Sequence, residues 1–433
     1  MLYQKGSVEE NAICNQQIKF NLKKVKQMKL RLNIERIAMC FILIGCYSII
    51  SGQTLSKQKE LNEAFDVLIK HFQDDKKREF EFQRKFGEAV DSTDYIIKLP
   101  VLWESYMTKD KDRMIKVEIS DNPIEMKTKE VVLENPYKNG YPVSYSVIYQ
   151  GRLVSLFESG QFVCHSIPSM QRDLSFEEKI NTKNFDYHWV IGNKLVGISQ
   201  EQYYYLDSND KWIKYKESIP LKNQPKLFED ASYISFCDCE GEFGGTVYFY
   251  NKTTRKITFT EATCAYTIYM KEGKYYVLTE LLHMIGRSTL EEISNPDQLT
   301  PIDLETIRKY PHGREVRAIG YSDKSNISRN VFNFSEIGFL STFDYKGRTI
   351  YLTHLPRLNR TFLAEVEKNT VKIINPLFNS RFYYNEKVTT VYSNNILING
   401  THYQTARYRE VSCIIIKGDE FIKIDWNKKY PLK

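Results

Sequence analysis

Charged and hydroxyl side chains recur at matching places in three segments of this sequence. Thr279-Glu280, Thr353-His354 and Thr401-His402 are each followed by an arginine within a few residues. Guanidinium groups present a planar fork of donors that suits carboxylates and sulfates. We therefore predict a binding site for an anionic or hydroxyl-rich ligand. Its candidate residues are Glu280, His283, Arg287, His354, Arg357, Arg360, His402 and Arg407.

Two of these segments belong to one internal repeat. Residues 273–293 read GKYYVLTELLHMIGRSTLEEI and residues 347–366 read GRTIYLTHLPRLNRTFLAEV, and they align with one residue of slack. A unit of turn, strand, loop and strand that occurs twice in a chain rich in short β runs indicates a repeat architecture. The matching positions are Gly273/Gly347, Leu278/Leu352, Thr279/Thr353, Leu281/Leu355, Arg287/Arg360, Leu290/Leu363 and Glu292/Glu365.

The apolar residues alternate with a period of two from Tyr95 onward, which predicts β-strands. Hairpin turns are predicted at Gln150-Gly151, Gly192-Asn193, Glu272-Gly273, Lys346-Gly347 and Lys417-Gly418. The strands group into units at 95–138, 141–180, 184–221, 225–262, 263–310, 311–376 and 378–430. Since a propeller blade needs roughly 40–50 residues, we predict an all-β fold, a β-propeller over residues 95–433 with seven blades. Six or eight blades are the alternatives, and an insertion at 294–330 lengthens the spacing between the two copies of the repeat.

A propeller would also bring the candidate residues together. The connections that follow the second strand of every blade lie on one face, so the three Thr-containing segments would surround one mouth. A closed ring of small sheets also leaves only short, shielded strand edges, whereas two open sandwich domains would leave more of them. The alternative for the repeated polar residues is a structural one, in which they tie one blade to the next by buried hydrogen bonds.

The first 94 residues predict export and a short helical segment. From Met28, a basic start, an apolar stretch (37–50) and small residues before Gln53 have the layout of a signal peptide. We predict a leader over 1–52, with Met28 as an alternative start and a lipid anchor at Cys46 as the less favoured reading. Apolar residues at three- and four-residue steps then predict a helical segment over 53–94, and no transmembrane span is expected in the mature chain.

The cysteines and the charge narrow the function classes. Five cysteines follow the leader, too few and too scattered for a disulfide framework: Cys164, Cys237, Cys239, Cys264 and Cys413. Cys237 and Cys239 have no second ligand pair, so we predict no metal site; they are either buried thiols or include one cross-strand bridge to Cys264. The formal charge of +7 lies partly in the leader, and no basic block interleaved with aromatics argues for nucleic acid.

On this repeat layout, the chain resembles the exported β-propeller proteins of Gram-negative bacteria. The resemblance covers about residues 95–433 and brings no diagnostic motif, so it implies an architecture and no catalytic residues. We predict a periplasmic or extracellular binding module, without a cofactor, for a glycan, an anionic polymer or an envelope protein. The alternative is a carbohydrate-active hydrolase or lyase that uses the same mouth, although no catalytic motif is present.

Overall fold

The computed structural model describes residues 101–431 apart from 104–114, 123, 125, 138–141, 143–144, 168, 217–218, 282–286, 310–327, 336, 356–359, 379–386, 406–407 and 427–429. The predicted leader and the predicted helical segment at 53–94 lie outside the described residues. Three strands come first: β1 (Val101–Trp103), β2 (Ile115–Ile119) and β3 (Lys127–Leu133). A series of antiparallel sheets follows, each built from strands that are consecutive in the sequence or nearly so.

The first three sheets arise from residues 147–261. The first contains β4 (Val147–Tyr149), β5 (Arg152–Leu156) and β6 (Phe162–Ser166), and the helix α1 (Leu174–Ile180) packs against β6. The second contains β7 (Tyr187–Ile191), β8 (Lys194–Ser199), β9 (Gln202–Leu206) and β10 (Trp212–Lys214). The third contains β11 (Lys226–Glu229), β12 (Tyr233–Cys239), β13 (Gly245–Asn251) and β14 (Ile257–Glu261), with a 3₁₀ turn η1 (Gly241–Phe243) between β12 and β13.

The remaining sheets arise from residues 265–431. The fourth begins with β15 (Ala265–Lys271), β16 (Lys274–Leu281) and β17 (Arg287–Ile293). A 3₁₀ turn η2 (Pro296–Gln298), the strand β18 (Thr300–Ile302) and the helix α2 (Leu304–Lys309) intervene before its fourth strand, β19 (Ser328–Ser335). The fifth contains β20 (Gly338–Tyr345), β21 (Arg348–Leu355), β22 (Arg360–Glu367) and β23 (Thr370–Phe378). The sixth contains β24 (Val388–Tyr392), β25 (Asn395–Thr405), β26 (Tyr408–Lys417) and β27 (Glu420–Trp426), and β28 (Tyr430–Pro431) pairs with β26.

Consecutive sheets pack face to face, and the last packs on the first. One apolar cluster joins the first sheet to the second, and others join the second to the third, the third to the fourth and the fifth to the sixth. Aromatic rings join the fourth sheet to the fifth, where Phe332 lies 5.1 Å from Phe339. Trp426 of the sixth sheet meets Phe157 of the first edge to face at 5.2 Å. The six sheets are therefore the blades of a closed β-propeller, and the propeller architecture predicted from the sequence is confirmed.

The predicted number of seven blades is wrong and the alternative of six is confirmed, because the described strands of the unit at 95–138 join two other blades. Instead, β2 pairs in parallel with β23 at the outer edge of the fifth blade, with Val117 opposite Val371. Similarly, β3 pairs in parallel with β27 at the outer edge of the sixth blade. Alternation of apolar residues predicts that a segment is a strand, but it does not identify a pairing partner that lies more than two hundred residues away.

The insertion also changes the predicted boundary of the unit at 263–310. Residues of the insertion belong to two blades. The strand β18 pairs with β14 at the edge of the third blade, and β19 pairs with β17 as the fourth strand of the fourth blade. The two copies of the repeat therefore belong to adjacent blades, with the insertion placed before the last strand of the fourth blade. None of the described helices is long and apolar enough to cross a membrane.

Leucines and glutamates that the two copies share have structural roles. Leu278 lies opposite Leu290 in the fourth blade, and Leu352 lies opposite Leu363 in the fifth. Each repeated glutamate contacts the basic residue after the turn glycine, in the pairs Lys274–Glu292 at 2.9 Å and Arg348–Glu365 at 2.8 Å. The predicted turns at Gln150-Gly151, Gly192-Asn193, Glu272-Gly273 and Lys346-Gly347 all have positive φ at both residues, as type I′ hairpins require.

The parallel strand β3 offers a test of the six-bladed arrangement. Because Lys127 lies opposite Glu420, cysteines at both positions should be close enough to form a disulfide. We expect the double variant Lys127→Cys/Glu420→Cys to form this bridge on oxidation, read by mass spectrometry of the proteolysed, unreduced protein. Lys127→Cys/Glu367→Cys, which places the second cysteine at an exposed position of the fifth blade, should not form it. If 95–138 were a separate blade, both pairs would stay unlinked.

Candidate functional site

The direction of the strands divides the propeller into two faces. Within a blade of antiparallel strands, the connection between the second and third strands lies on the same side as the link to the next blade. We call this side the 2–3 face. The turns between first and second strands, such as Glu272-Gly273 and Lys346-Gly347, lie on the opposite face.

The described candidate residues all lie at the 2–3 ends of their strands. Glu280 and Arg287 flank the connection between β16 and β17, and His354 and Arg360 flank the one between β21 and β22. His402 lies near the end of β25 in the sixth blade. Arg360 and His402 are described by their strand positions alone. The other three candidates, His283, Arg357 and Arg407, lie outside the described residues.

Glu280 forms a buried ion pair that the sequence did not indicate. Its carboxylate contacts the ammonium of Lys387, which directly precedes the first strand of the sixth blade. The Lys387 and Glu280 side chains are only 5% and 0% exposed. The Lys387 ammonium also lies 4.8 Å from the centre of the Tyr266 ring. Burial lowers the pKa of Lys387. The pair therefore ties the fourth blade to the sixth near the 2–3 face.

His354 occupies the matching place in the fifth blade and is fully buried. It lies opposite Gly338 and Thr361 on the neighbouring strands. Ser288, which lies opposite Glu280, donates to the carbonyl of Ile337 at 3.0 Å and thereby joins the fourth blade to the fifth. Glu280 and His354 thus belong to the packed layer beneath the 2–3 face, and a direct role for either in ligand binding stays a prediction.

Arg287 is the described candidate whose side chain is exposed. Its Nε donates to the amide oxygen of Asn333 at 2.7 Å, which orients the guanidinium across the fourth blade. A planar guanidinium held in this way suits carboxylate or sulfate recognition, because the arginine side chain loses less conformational entropy when the ligand binds. Among the described candidates, Arg287 is therefore the best placed to contact a ligand.

Side chains from four inner strands line a small cavity. The cavity lies between β4, β7, β11 and β24 and has a volume of about 20 Å³, which is room for about one water molecule. His188 lines it and contacts the Val154 carbonyl at 3.2 Å, and burial lowers the pKa of His188 to about 4. Lys226 also lines it and pairs with Glu229 at 2.7 Å. This cavity is too small for a ligand larger than water.

A disulfide joins two connections on the 2–3 face. Cys239 at the end of β12 is bonded to Cys264, which directly precedes β15. The bridge to Cys264 was one of the two alternatives predicted from the sequence. Cys164, Cys237 and Cys413 are free and buried. No spacing or motif indicated Lys387, since its partner lies two blades away.

The sheet topology makes this chain a six-bladed β-propeller. No protein-family model matches the chain, and no curated protein matches it. Among solved structures, BamB from Moraxella catarrhalis is 8% identical, with a TM-score of 0.31 over 60% of this chain and 82% of that one. A complex of S. cerevisiae Dbp5 with Nup159 and a Gle1 variant is also 8% identical, with a TM-score of 0.28 over 70% and 87%. A prolyl endopeptidase is 11% identical, with a TM-score of 0.31 over 62% and 40%. Similarity this low identifies no family, and the propeller assignment depends on the sheet topology.

The buried pair predicts a specific effect on stability. Glu280→Gln leaves the Lys387 ammonium buried without its counter-charge, so we expect the free energy of unfolding to fall by about 3 kcal/mol. Glu280→Leu/Lys387→Met removes both charges and should recover most of that loss. Denaturant unfolding at pH 7 measures the stability of the single and the double variant, with Glu420→Gln at an exposed position as the control. Equal stability of Glu280→Gln and the wild type would show that the pair is not formed.

His188 predicts a loss of stability in acid. Its pKa is about 4 in the folded protein and 6.5 in the unfolded chain, so the unfolded state binds the proton first as the pH falls. His188 leaves the free energy of unfolding unchanged above pH 6.5. As the pH falls toward 4, protonation of His188 in the unfolded chain lowers that free energy by about 3 kcal/mol in all. In denaturant titrations at several pH values, His188→Gln should show a shallower decline than the wild type. Parallel curves would contradict a buried, neutral His188.

Proposed function

We propose that this protein is an exported binding module that holds its ligand on the 2–3 face of the propeller. The ligand is a glycan, an anionic polymer or an envelope protein. One observation carries the proposal: the five described candidates lie at the 2–3 ends of strands in three consecutive blades. Because strand ends from several blades meet at this face, the connections that follow them can supply convergent polar contacts, as binding sites require.

Two further observations support this proposal. The cavity between β4, β7, β11 and β24 has room for about one water, which favours a face as the surface for recognition. The exposed Arg287 guanidinium is oriented by Asn333 and offers donors to carboxylate, sulfate or hydroxyl groups. Arg287 is therefore the residue on which a binding test should rest.

The disulfide supports the exported location. Structural disulfides form and persist in oxidising compartments such as the periplasm and the extracellular space. Cys239 is exposed and bonded to Cys264, whereas the three free cysteines in the described part of the chain are buried. This distribution fits a chain that folds outside the reducing cytosol and supports the predicted leader.

A binding panel with matched arginine variants tests the proposal. The probes are immobilised neutral, carboxylated and sulfated polysaccharides and a displayed peptide library, and the reaction products are analysed in parallel. For any probe that binds, Arg287→Ala should weaken the affinity about tenfold, because one charge-assisted contact is lost. Arg255→Ala, an exposed arginine in a turn on the opposite face, should leave it unchanged.

Three results would contradict the proposal. Equal loss in the Arg287 and Arg255 variants would exclude a site confined to the 2–3 face. Loss of thermal stability in Arg287→Ala would show a structural role for that residue. Turnover of a polysaccharide that Arg287→Ala abolishes would instead support the hydrolase or lyase alternative.

A further inference from the structure

One connection on the 2–3 face presents an aromatic side chain to solvent. Residues 240–244, which we call the Phe243 loop, join β12 to β13 in the third blade. Phe243 is 62% exposed, the same fraction as Val391 and more than any other exposed large hydrophobic among the described residues. Solvating a phenyl ring is unfavourable, and isolated exposed apolar residues are nonetheless common. The surroundings of Phe243 distinguish it from that background.

The Phe243 loop is held rigidly at its base. The disulfide Cys239–Cys264 fixes the end of β12 to the start of the fourth blade. Within the loop, the amide of Glu240 donates to the carbonyl of Gly244 at 2.9 Å, and the amide of Phe243 donates to Glu240 at 3.2 Å. A loop fixed by covalent and hydrogen bonds before binding loses little conformational entropy when a partner docks.

Glycine is required at the last residue of this loop and at the first residue of β13. Gly244 has a φ of +101°, a conformation that residues with a side chain rarely adopt. At Gly245, a Cβ would lie 2.7 Å from the carbonyl oxygen of Ala262 and 2.8 Å from that of Asp238. The backbone at Gly245 therefore packs closely against the segment that leads to the fourth blade, and this packing restricts movement of the chain next to Phe243.

The charges around the Phe243 loop are acidic. Between Lys226 and Lys252 the sequence has no basic residue, and the part of it at the 2–3 face has acidic residues at 238, 240 and 242. Glu242 is exposed, and exposed Glu261 at the end of β14 adds a further carboxylate on the same side of the blade. In a chain with a net charge of +7, this is a local reversal of sign.

We infer that the Phe243 loop is a docking contact for a protein partner, with Phe243 entering an apolar pocket that basic residues surround. The inference rests on the proposed function, because it places this contact on the same 2–3 face as Arg287. Rigid aromatic anchors are typical of the residues that dominate protein interfaces. The carboxylates complement lysine or arginine on the partner and disfavour an anionic polymer at this loop.

The contact is compatible with Arg287 as part of one interface. A protein interface of ordinary size covers about 800 Å² on each partner, which is enough to span connections from adjacent blades. Phe243 belongs to the third blade and Arg287 to the fourth, and the Cys239–Cys264 bridge joins these two blades between them. One partner can therefore contact both residues.

Selection of peptides on the full-length protein tests the inference. A displayed library of random 12-residue peptides is selected on the wild type, and the selected peptides are synthesised with a fluorescent label. We expect sequences that combine an aromatic or aliphatic residue with lysine or arginine. Fluorescence anisotropy should show about tenfold weaker binding or more to Phe243→Ala, and weaker binding to Glu240→Gln/Glu242→Gln at low salt.

Matched variants separate the possible outcomes. Met270→Ala, at an exposed position near the opposite face, should bind the peptides like the wild type. Thermal unfolding should be the same for Phe243→Ala and Met270→Ala, since both side chains are exposed. Unchanged binding to Phe243→Ala with loss in Arg287→Ala would refute the inference and leave the proposed function standing. Unchanged peptide binding to both Phe243→Ala and Arg287→Ala would refute the inference and the proposed function together. Binding of a neutral polysaccharide that depends on Phe243 would show that the partner at this loop is a glycan and not a protein.

Discussion

The contact between Trp426 of the sixth blade and Phe157 of the first closes the ring, and the other blade interfaces depend on this closure. A blade buries both of its faces only when it has a neighbour on each side, so an open ring would expose two apolar sheets. The side-chain amide of Asn399 donates to the Ser146 carbonyl at 3.0 Å across the same interface. Closure is therefore secured by aromatic packing and by a buried hydrogen bond.

Closure has a consequence for the inner strands, because it brings them together around the axis. The cavity between β4, β7, β11 and β24 is about 20 Å³, and the inner charged groups Lys226 and Lys387 are paired with Glu229 and Glu280. Removing these ion pairs from water costs desolvation, which good geometry must offset. The proposed recognition lies instead on a face, where connections can vary in length and residues without affecting the closed ring.

The sequence predicted the local part of this fold and missed its long-range part. Alternating strands, the I′ turns and the propeller class follow from near neighbours in the chain, such as Gly273 and Gly347 in their hairpins. The number of blades does not follow from near neighbours, because β2 and β3 pair with strands near the C-terminal end of the chain. For the site, strand position was predictable from the repeat, whereas the Glu280–Lys387 pair was not, since no spacing relates residues two blades apart.

The comparison between Glu280 and His354 shows what a repeat can and cannot indicate. Positions that match between the copies, such as Glu292 and Glu365, make the same contact within their own blade. The position that differs is buried, and in the fourth blade its side chain contacts another blade: Glu280 is paired with Lys387 of the sixth. Divergence at a buried position therefore reflects the packing between blades, and any influence of these two residues on a ligand would act through the connections that they support. Arg287 and Phe243 on the same face are exposed, so a partner can reach them without disturbing the packing between blades.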